Sequence, residues 1–133
     1  MTFFDTSALV GMLLQSHPRH KECFSLFEGT RGRITNSHAL AEVFSTLTGF
    51  YKVPNDAAAE LTLGLLEKLD IEPLSLRDYE TALTEARQRG VMGGGIYDAL
   101  HATYARHHSA PRIITRNPGN FDHVAPDLEI VVP

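Results

Sequence analysis

The sequence predicts an α/β fold in which a mostly parallel sheet is covered by helices on both faces. Three observations carry this expectation. Short apolar runs recur along the chain, each only a few residues long. The segments between them are long enough for crossover helices and repeat their apolar residues with helical spacing. Polar residues also stand where two of the runs end: Asp5 after Phe3-Phe4, and Asn117 after Ile113-Ile114-Thr115-Arg116. Ligands of open α/β sheets bind outside the carboxyl ends of the strands, so these two distant residues are candidates for one site.

The elements follow in order. A strand over Thr2–Phe4 leads into a helix over Ser7–Leu14, and a second helix runs from Pro18 to about Glu28. Pro18 suits a first helical turn, where its missing N–H has no partner to lose. Arg33–Thr35 reads as a strand, followed by a helix from Asn36 or Ser37 with Leu40, Val43, Phe44 and Leu47 as its apolar stripe. Asn55–Leu69 forms the next helix, and Ile71–Leu74 a strand whose Pro73 marks a strand end or sheet edge. Ser75 and Asp78 have capping-box spacing and open a helix with Tyr79, Ala82, Leu83 and Ala86 inward, ended by Gly90. After Gly93-Gly94-Gly95 a helix covers Ile96 to His107, and strands at Arg112–Thr115 and Glu129–Val132 complete the sheet.

The 133 residues suffice for one domain (1–133) with its own core, and no repeat or linker divides them. Cys23 is the only cysteine, which excludes an internal disulfide and favours a reducing, cytoplasmic setting. No charged leader precedes an apolar segment, and no run approaches the length that spans a bilayer, so no membrane is expected. The net charge of −4 speaks against a broad basic nucleic-acid footprint. Nine arginines against three lysines soften that objection, because guanidinium groups grip phosphates in two-pronged fashion.

Five residues carry the chemistry. Asp5 stands at a helix start, where a capping role competes with a dedicated carboxylate; Thr6 or Ser7 would cap equally well. Glu42 lies about 200° round its helix from Leu40, where solvated glutamates usually sit. Asp98 opens a helix whose Ala102 and Ala105 continue the apolar surface beneath it, so its charge calls for a partner, either a metal ion or an arginine. Thr115 and Asn117 occupy a polar turn and would supply oxygen atoms or orient water. Hard oxygen ligands of this kind suit Mg²⁺ or Mn²⁺ and phosphodiester chemistry.

Asp5-Thr6-Ser7-Ala8-Leu9-Val10, Ala41-Glu42-Val43, Ile96-Tyr97-Asp98-Ala99-Leu100 and Thr115-Arg116-Asn117 with Asn120-Phe121 together resemble the PIN-domain ribonucleases, in particular VapC-type toxins of bacterial toxin–antitoxin pairs. The resemblance runs through essentially the whole chain. It implies a three-layer α/β/α fold with a sheet of four or five strands, and Mg²⁺- or Mn²⁺-dependent cleavage of RNA by a homodimer restrained by a small antitoxin. Asp5, Glu42 and Asp98 match the family's three principal acids and would hold the metal. Asn117 matches its fourth position, and Thr6, Thr115 and Arg116 would bind or orient substrate. Both Asn117 and Asn120 are neutral where the family often has an acid, which weakens a second metal site more than the first.

Competing readings are a non-catalytic protein-interaction module on the same fold and a phosphatase, the latter disfavoured by the absence of a DxD pair after the first strand. Seven histidines bring neither an HExxH motif nor a cysteine partner for zinc; His101, three residues after Asp98 on its helix, reads either as a partner supporting the site or, by preference, as an exposed residue. The glycine loop would let a backbone approach closely and the following helix N-terminus receive a phosphate, a plain flexible turn being an equal alternative. Tyr97, Tyr104 and Phe121 could stack bases, although packing is the simpler role.

Overall fold

The computed structural model describes all of residues 1–133. Five parallel strands form one sheet: β1 (Thr2–Phe4), β2 (Arg33–Asn36), β3 (Asp70–Glu72), β4 (Arg112–Ile114) and β5 (Glu129–Val131). Their spatial order is β3-β2-β1-β4-β5. The helices are α1 (Thr6–Leu13), α2 (His20–Gly29), α3 (Ser37–Gly49), α4 (Asn55–Gly64), α5 (Leu76–Glu85) and α6 (Gly95–His107), with 3₁₀ turns at Leu65–Glu67 and Pro118–Phe121. The chain leaves β1 toward β2 and β3, then returns past β1 to lay down β4 and β5. That reversal puts a crevice at the carboxyl ends of β1 and β4.

Two apolar layers sandwich the sheet. Side chains alternate along a strand, so Phe3 and Ile113 face one way, and Phe4 and Ile114 the other. Phe3, Ile34 and Ile113 pack with Ala82 of α5 and Leu100, Ala102 and Tyr104 of α6. Phe4 and Ile114 pack with Leu9 of α1, Phe27 of α2, Val43 and Leu47 of α3 and Ala58 of α4. The three-layer arrangement and the parallel sheet are as the sequence leads one to expect.

Several local expectations fail for identifiable reasons. Pro18 lies in the turn before α2 rather than in its first turn, because the helix begins at His20. In α3 the buried side chains are Ala39, Val43 and Leu47, while Phe44 is exposed. In α5 the buried residues are Asp78 and Ala82, while Tyr79 and Leu83 face solvent. Asp78 sets that orientation: one oxygen accepts the Ser75 N–H at 2.8 Å and the other meets His107 Nδ1 at 2.5 Å. The cap is thus also a tie between α5 and the end of α6.

The contact between α1 and α2 is close. A Cβ added to Gly11 would lie 2.5 Å from Cys23 Sγ. Gly11→Ala is therefore expected to lower unfolding free energy by about 1–2 kcal/mol, overpacking outweighing the better helix propensity of alanine. Adding Cys23→Ala should recover most of that loss. Urea denaturation of the two single variants and the double variant measures the coupling.

Candidate active site

Asp5 follows β1 directly, its backbone N–H bonded to the Ile114 carbonyl of β4 at 2.9 Å. It occupies the N-cap position of α1 yet makes no side-chain capping bond. Oδ2 instead accepts hydroxyl bonds from Ser7 at 2.9 Å and Thr115 at 2.7 Å. Each hydroxyl has one proton, so the 3.2 Å approach of Ser7 to Thr115 is then a packing contact. The two hydroxyls also accept from the loop after β4: Arg116 N–H binds Ser7 at 2.8 Å and Asn117 N–H binds Thr115 at 3.0 Å. Asp5 Oδ1 makes no bond within the protein. The carboxylate is fixed on one side and open on the other.

Glu42 stands about 60° from the buried Ala39 at 100° per residue, on the flank of α3 rather than its solvent side. Centring the inward stripe on Leu40 and Phe44 misplaces it. Glu42 Oε1 accepts from His101 Nε2 at 2.6 Å and from Thr6 Oγ1 at 3.2 Å. Burial pushes its pKa up, but the His101 bond and nearby imidazole charge outweigh that and hold it below the usual range.

His101 is fully buried, which overturns the preferred reading of an exposed residue and favours the alternative of a partner at the site, because α6 is buried on every side from Ala99 to Ala105. Its tautomer follows from a backbone amide. Ala39 N–H donates to Asn36 Oδ1 at 3.1 Å, capping α3 and fixing which end of the Asn36 amide is oxygen. The Asn36 NH₂ therefore donates to His101 Nδ1 at 2.8 Å, and His101 Nε2 carries the proton that it gives to Glu42. Burial lowers the pKa of His101, and the Glu42 carboxylate more than reverses this. A proton on Nδ1 would nevertheless face the Asn36 NH₂, so charging the ring requires disturbing the cap.

Asp98, in the first turn of α6, has neither a hydrogen bond nor an ion pair with any protein group. Its pKa is raised to about 6, chiefly by burial and then by the charge of Asp5, with a further contribution from Glu42. Asp5, Glu42, Asp98 and Asn117 line one cleft of about 290 Å³, together with Thr6, Ser7, Thr46, Gly94, Tyr97 and Asn120.

Other candidate residues sit elsewhere. Thr115 is fully buried behind Asp5, so it orients the carboxylate and has no access to substrate. The Arg116 side chain donates to the Pro133 carbonyl, and only its backbone N–H reaches the site through Ser7. The expected phosphate seat after the glycines is also occupied: the N–H groups of Gly95, Ile96 and Tyr97 donate to Met92, Gly93 and Gly94 carbonyls. Ser7 and Asn36 were not anticipated as site residues.

No group of three acidic, histidine or cysteine side chains is drawn tightly enough to hold an ion as it stands. The donors nonetheless fit a hard divalent cation in kind. All are oxygens, Asp98 lacks a protein partner, and repulsion from neighbouring acids is what an added positive charge would relieve.

The PIN domain family model matches residues 2–126. The chain belongs to the PIN domain family. Among its relatives, ribonuclease VapC27 of Mycobacterium tuberculosis (strain ATCC 25618 / H37Rv) is 33% identical over 110 residues, covering 80% of this chain and 77% of that protein. The same PIN fold occurs in Mycobacterium tuberculosis VapC20, described as a sarcin–ricin loop cleaving toxin, with TM-score 0.72 and 16% identity over 85% of this chain and 87% of that one. A toxin–antitoxin complex from Klebsiella pneumoniae gives TM-score 0.70 and 18% identity over 98% and 96% of the two chains.

Proposed function

We propose that this PIN domain is a divalent-metal-dependent endoribonuclease, the toxin of a toxin–antitoxin pair, hydrolysing RNA phosphodiester bonds. The observation that carries the reading is a single cleft that collects three carboxylates and leaves Asp98 without a protein partner. The relative named as a ribonuclease and the fold shared with an RNA-cleaving toxin support it.

Asp5, Glu42 and Asp98 would hold Mg²⁺ or Mn²⁺. When bound, such an ion supplies Lewis acidity toward a phosphate oxygen and activates water for attack. Ser7 and Thr115 keep Asp5 in one rotamer, leaving Oδ1 toward the cleft. Thr6 and His101 do the same for Glu42 through Oε1, leaving Oε2. Asn117, exposed at the rim, contributes a neutral amide that can accept from water or donate to phosphate. The protein thus spends its hydrogen bonds on the far sides of two carboxylates.

A small antitoxin and a second copy of the chain are the expected protein partners. Exposed Leu76 and Leu83 of α5, together with Met92, are apolar surface of the kind that partners cover. No helix is long and apolar enough to cross a membrane.

Incubating a mixed structured RNA pool with the protein and Mn²⁺, with EDTA, or with the Asp98→Asn variant tests the reading. Cleavage should occur with Mn²⁺, stop with EDTA and fall about a hundredfold or more in the variant, a loss of about 3 kcal/mol of transition-state stabilisation. Equal cleavage by folded Asp98→Asn, or cleavage indifferent to EDTA, would refute it.

A further inference from the structure

A second cavity, of about 370 Å³, adjoins the carboxylate cleft and shares Glu42, Thr46 and Tyr97 with it as a common wall. His38, Ala41 and Ser45 complete it. These three stand at i, i+3 and i+7 on α3, one face of one helix, with Glu42 and Thr46 on the adjoining strip. Across the opening, Tyr97 of α6 lies flat on His38, with ring centroids 5.0 Å apart and planes 9° from parallel. The stack is anchored inward, since His38 also contacts the ring of buried His101 at 6.2 Å, and His101 that of Phe3 at 5.3 Å. Tyr97 remains 46% exposed, and no aromatic ring other than His38 packs on it.

We propose that this cavity is a subsite for an unpaired nucleobase of RNA, adjacent to the phosphate handled in the carboxylate cleft. The proposal rests on the nuclease reading and adds to it the place where one base is held. Its parts match a base in chemistry. Tyr97 is nearly half exposed on a ring already held by His38, so little ordering is needed for a base to stack on it. Ala41 keeps the floor shallow enough for a flat ring. The hydroxyls of Ser45 and Thr46 both donate and accept, which suits the polar edge of any base. The faces of paired bases are covered by their neighbours in a duplex, so the subsite selects nucleotides in loops, bulges or single strands. The shared wall of Glu42, Thr46 and Tyr97 places that nucleotide next to the one whose phosphate enters the carboxylate cleft.

Binding is measured with a ten-nucleotide single-stranded RNA carrying 2-aminopurine at alternate positions, in the Asp98→Asn background so that nothing is cleaved. Stacking on Tyr97 should quench the fluorescence. Tyr97→Ala should remove most of the quenching and weaken binding about tenfold, while Tyr97→Phe retains both. Ala41→Leu, a change at an exposed helical position that fills the floor, should weaken binding with both rings still in place. In the cleaving protein, Tyr97→Ala should raise KM for single-stranded RNA more than it lowers kcat. If the wild type cleaves but neither Tyr97→Ala nor Ala41→Leu changes quenching or KM, the subsite is refuted and the nuclease reading stands. Tyr97-dependent quenching in a protein that never cleaves would uphold the subsite and refute the hydrolase.

Discussion

Replacing Asp98 with asparagine is expected to stabilise the metal-free protein at neutral pH while removing its cleavage activity. The carboxyl group of Asp98 titrates near 6, against an ordinary value of 3.8, because burial and the charge of Asp5 disfavour its ionised form. Between those two values the folded chain holds a proton that the unfolded chain has released. Stability from this group therefore falls as pH rises from about 4 to about 6, and the deficit persists above. At 1.36 kcal/mol per unit the shift corresponds to about 3 kcal/mol. Solvent at the open side of the cleft screens it, leaving about 1–2 kcal/mol. Urea denaturation of the wild type and Asp98→Asn should show the variant gaining this advantage between pH 4 and pH 7. Mn²⁺ should narrow the gap by stabilising the wild type more. A variant that is less stable at pH 7, or a difference that stays flat with pH, would mean that Asp98 has another favourable partner.

The second large effect is expected at His101. Its imidazole is fully buried and joins Asn36 to Glu42. His101→Ala opens a cavity, strands the Asn36 NH₂ and takes from Glu42 its shortest hydrogen bond. The combined cost should be about 3 kcal/mol. His101→Gln, which can still offer an N–H toward Glu42, should recover part of it. Nitrogen NMR of the imidazole provides a separate check, with a proton expected on Nε2 and none on Nδ1. A loss below about 0.5 kcal/mol in His101→Ala, or a proton on Nδ1 at neutral pH, would contradict the hydrogen-bond order drawn from the Asn36 cap.

The order of strands and helices was legible because each strand is a short apolar run and each helix has its own periodicity. Asp5 and Asp98 could be singled out because one follows a strand and the other opens a helix apolar on nearly every side. Glu42 was harder. The large residues Leu40 and Phe44 suggested an inward face, whereas small Ala39 is as fully buried as Val43 and Leu47. The buried role of His101 was hidden for a different reason: its partners Asn36 and Glu42 come from another helix and its cap, 65 and 59 positions away. In α5, Tyr79 and Leu83 look inward by composition, but the bond between Asp78 and His107 turns them outward. Of the two readings of the glycine loop the plain turn prevails, because its amides are taken by carbonyls of the same loop. Periodicity reports which residues favour burial; it carries no account of which distant polar group will meet them.

The strand order has a consequence for the life of the chain. Asp5 is made almost first, yet two of the groups that aim it, the Ile114 carbonyl at the end of the fourth strand and Thr115 just after it, are made late. A ribosome-bound chain that has exposed only β1, β2 and β3 lacks one neighbour of its central strand, the support of Asp5 and the whole of α6 with Asp98 and His101. Such a fragment has no assembled cleft. Catalytic competence thus arrives late in translation, and a message truncated before β4 should yield a product harmless to the cell that makes it.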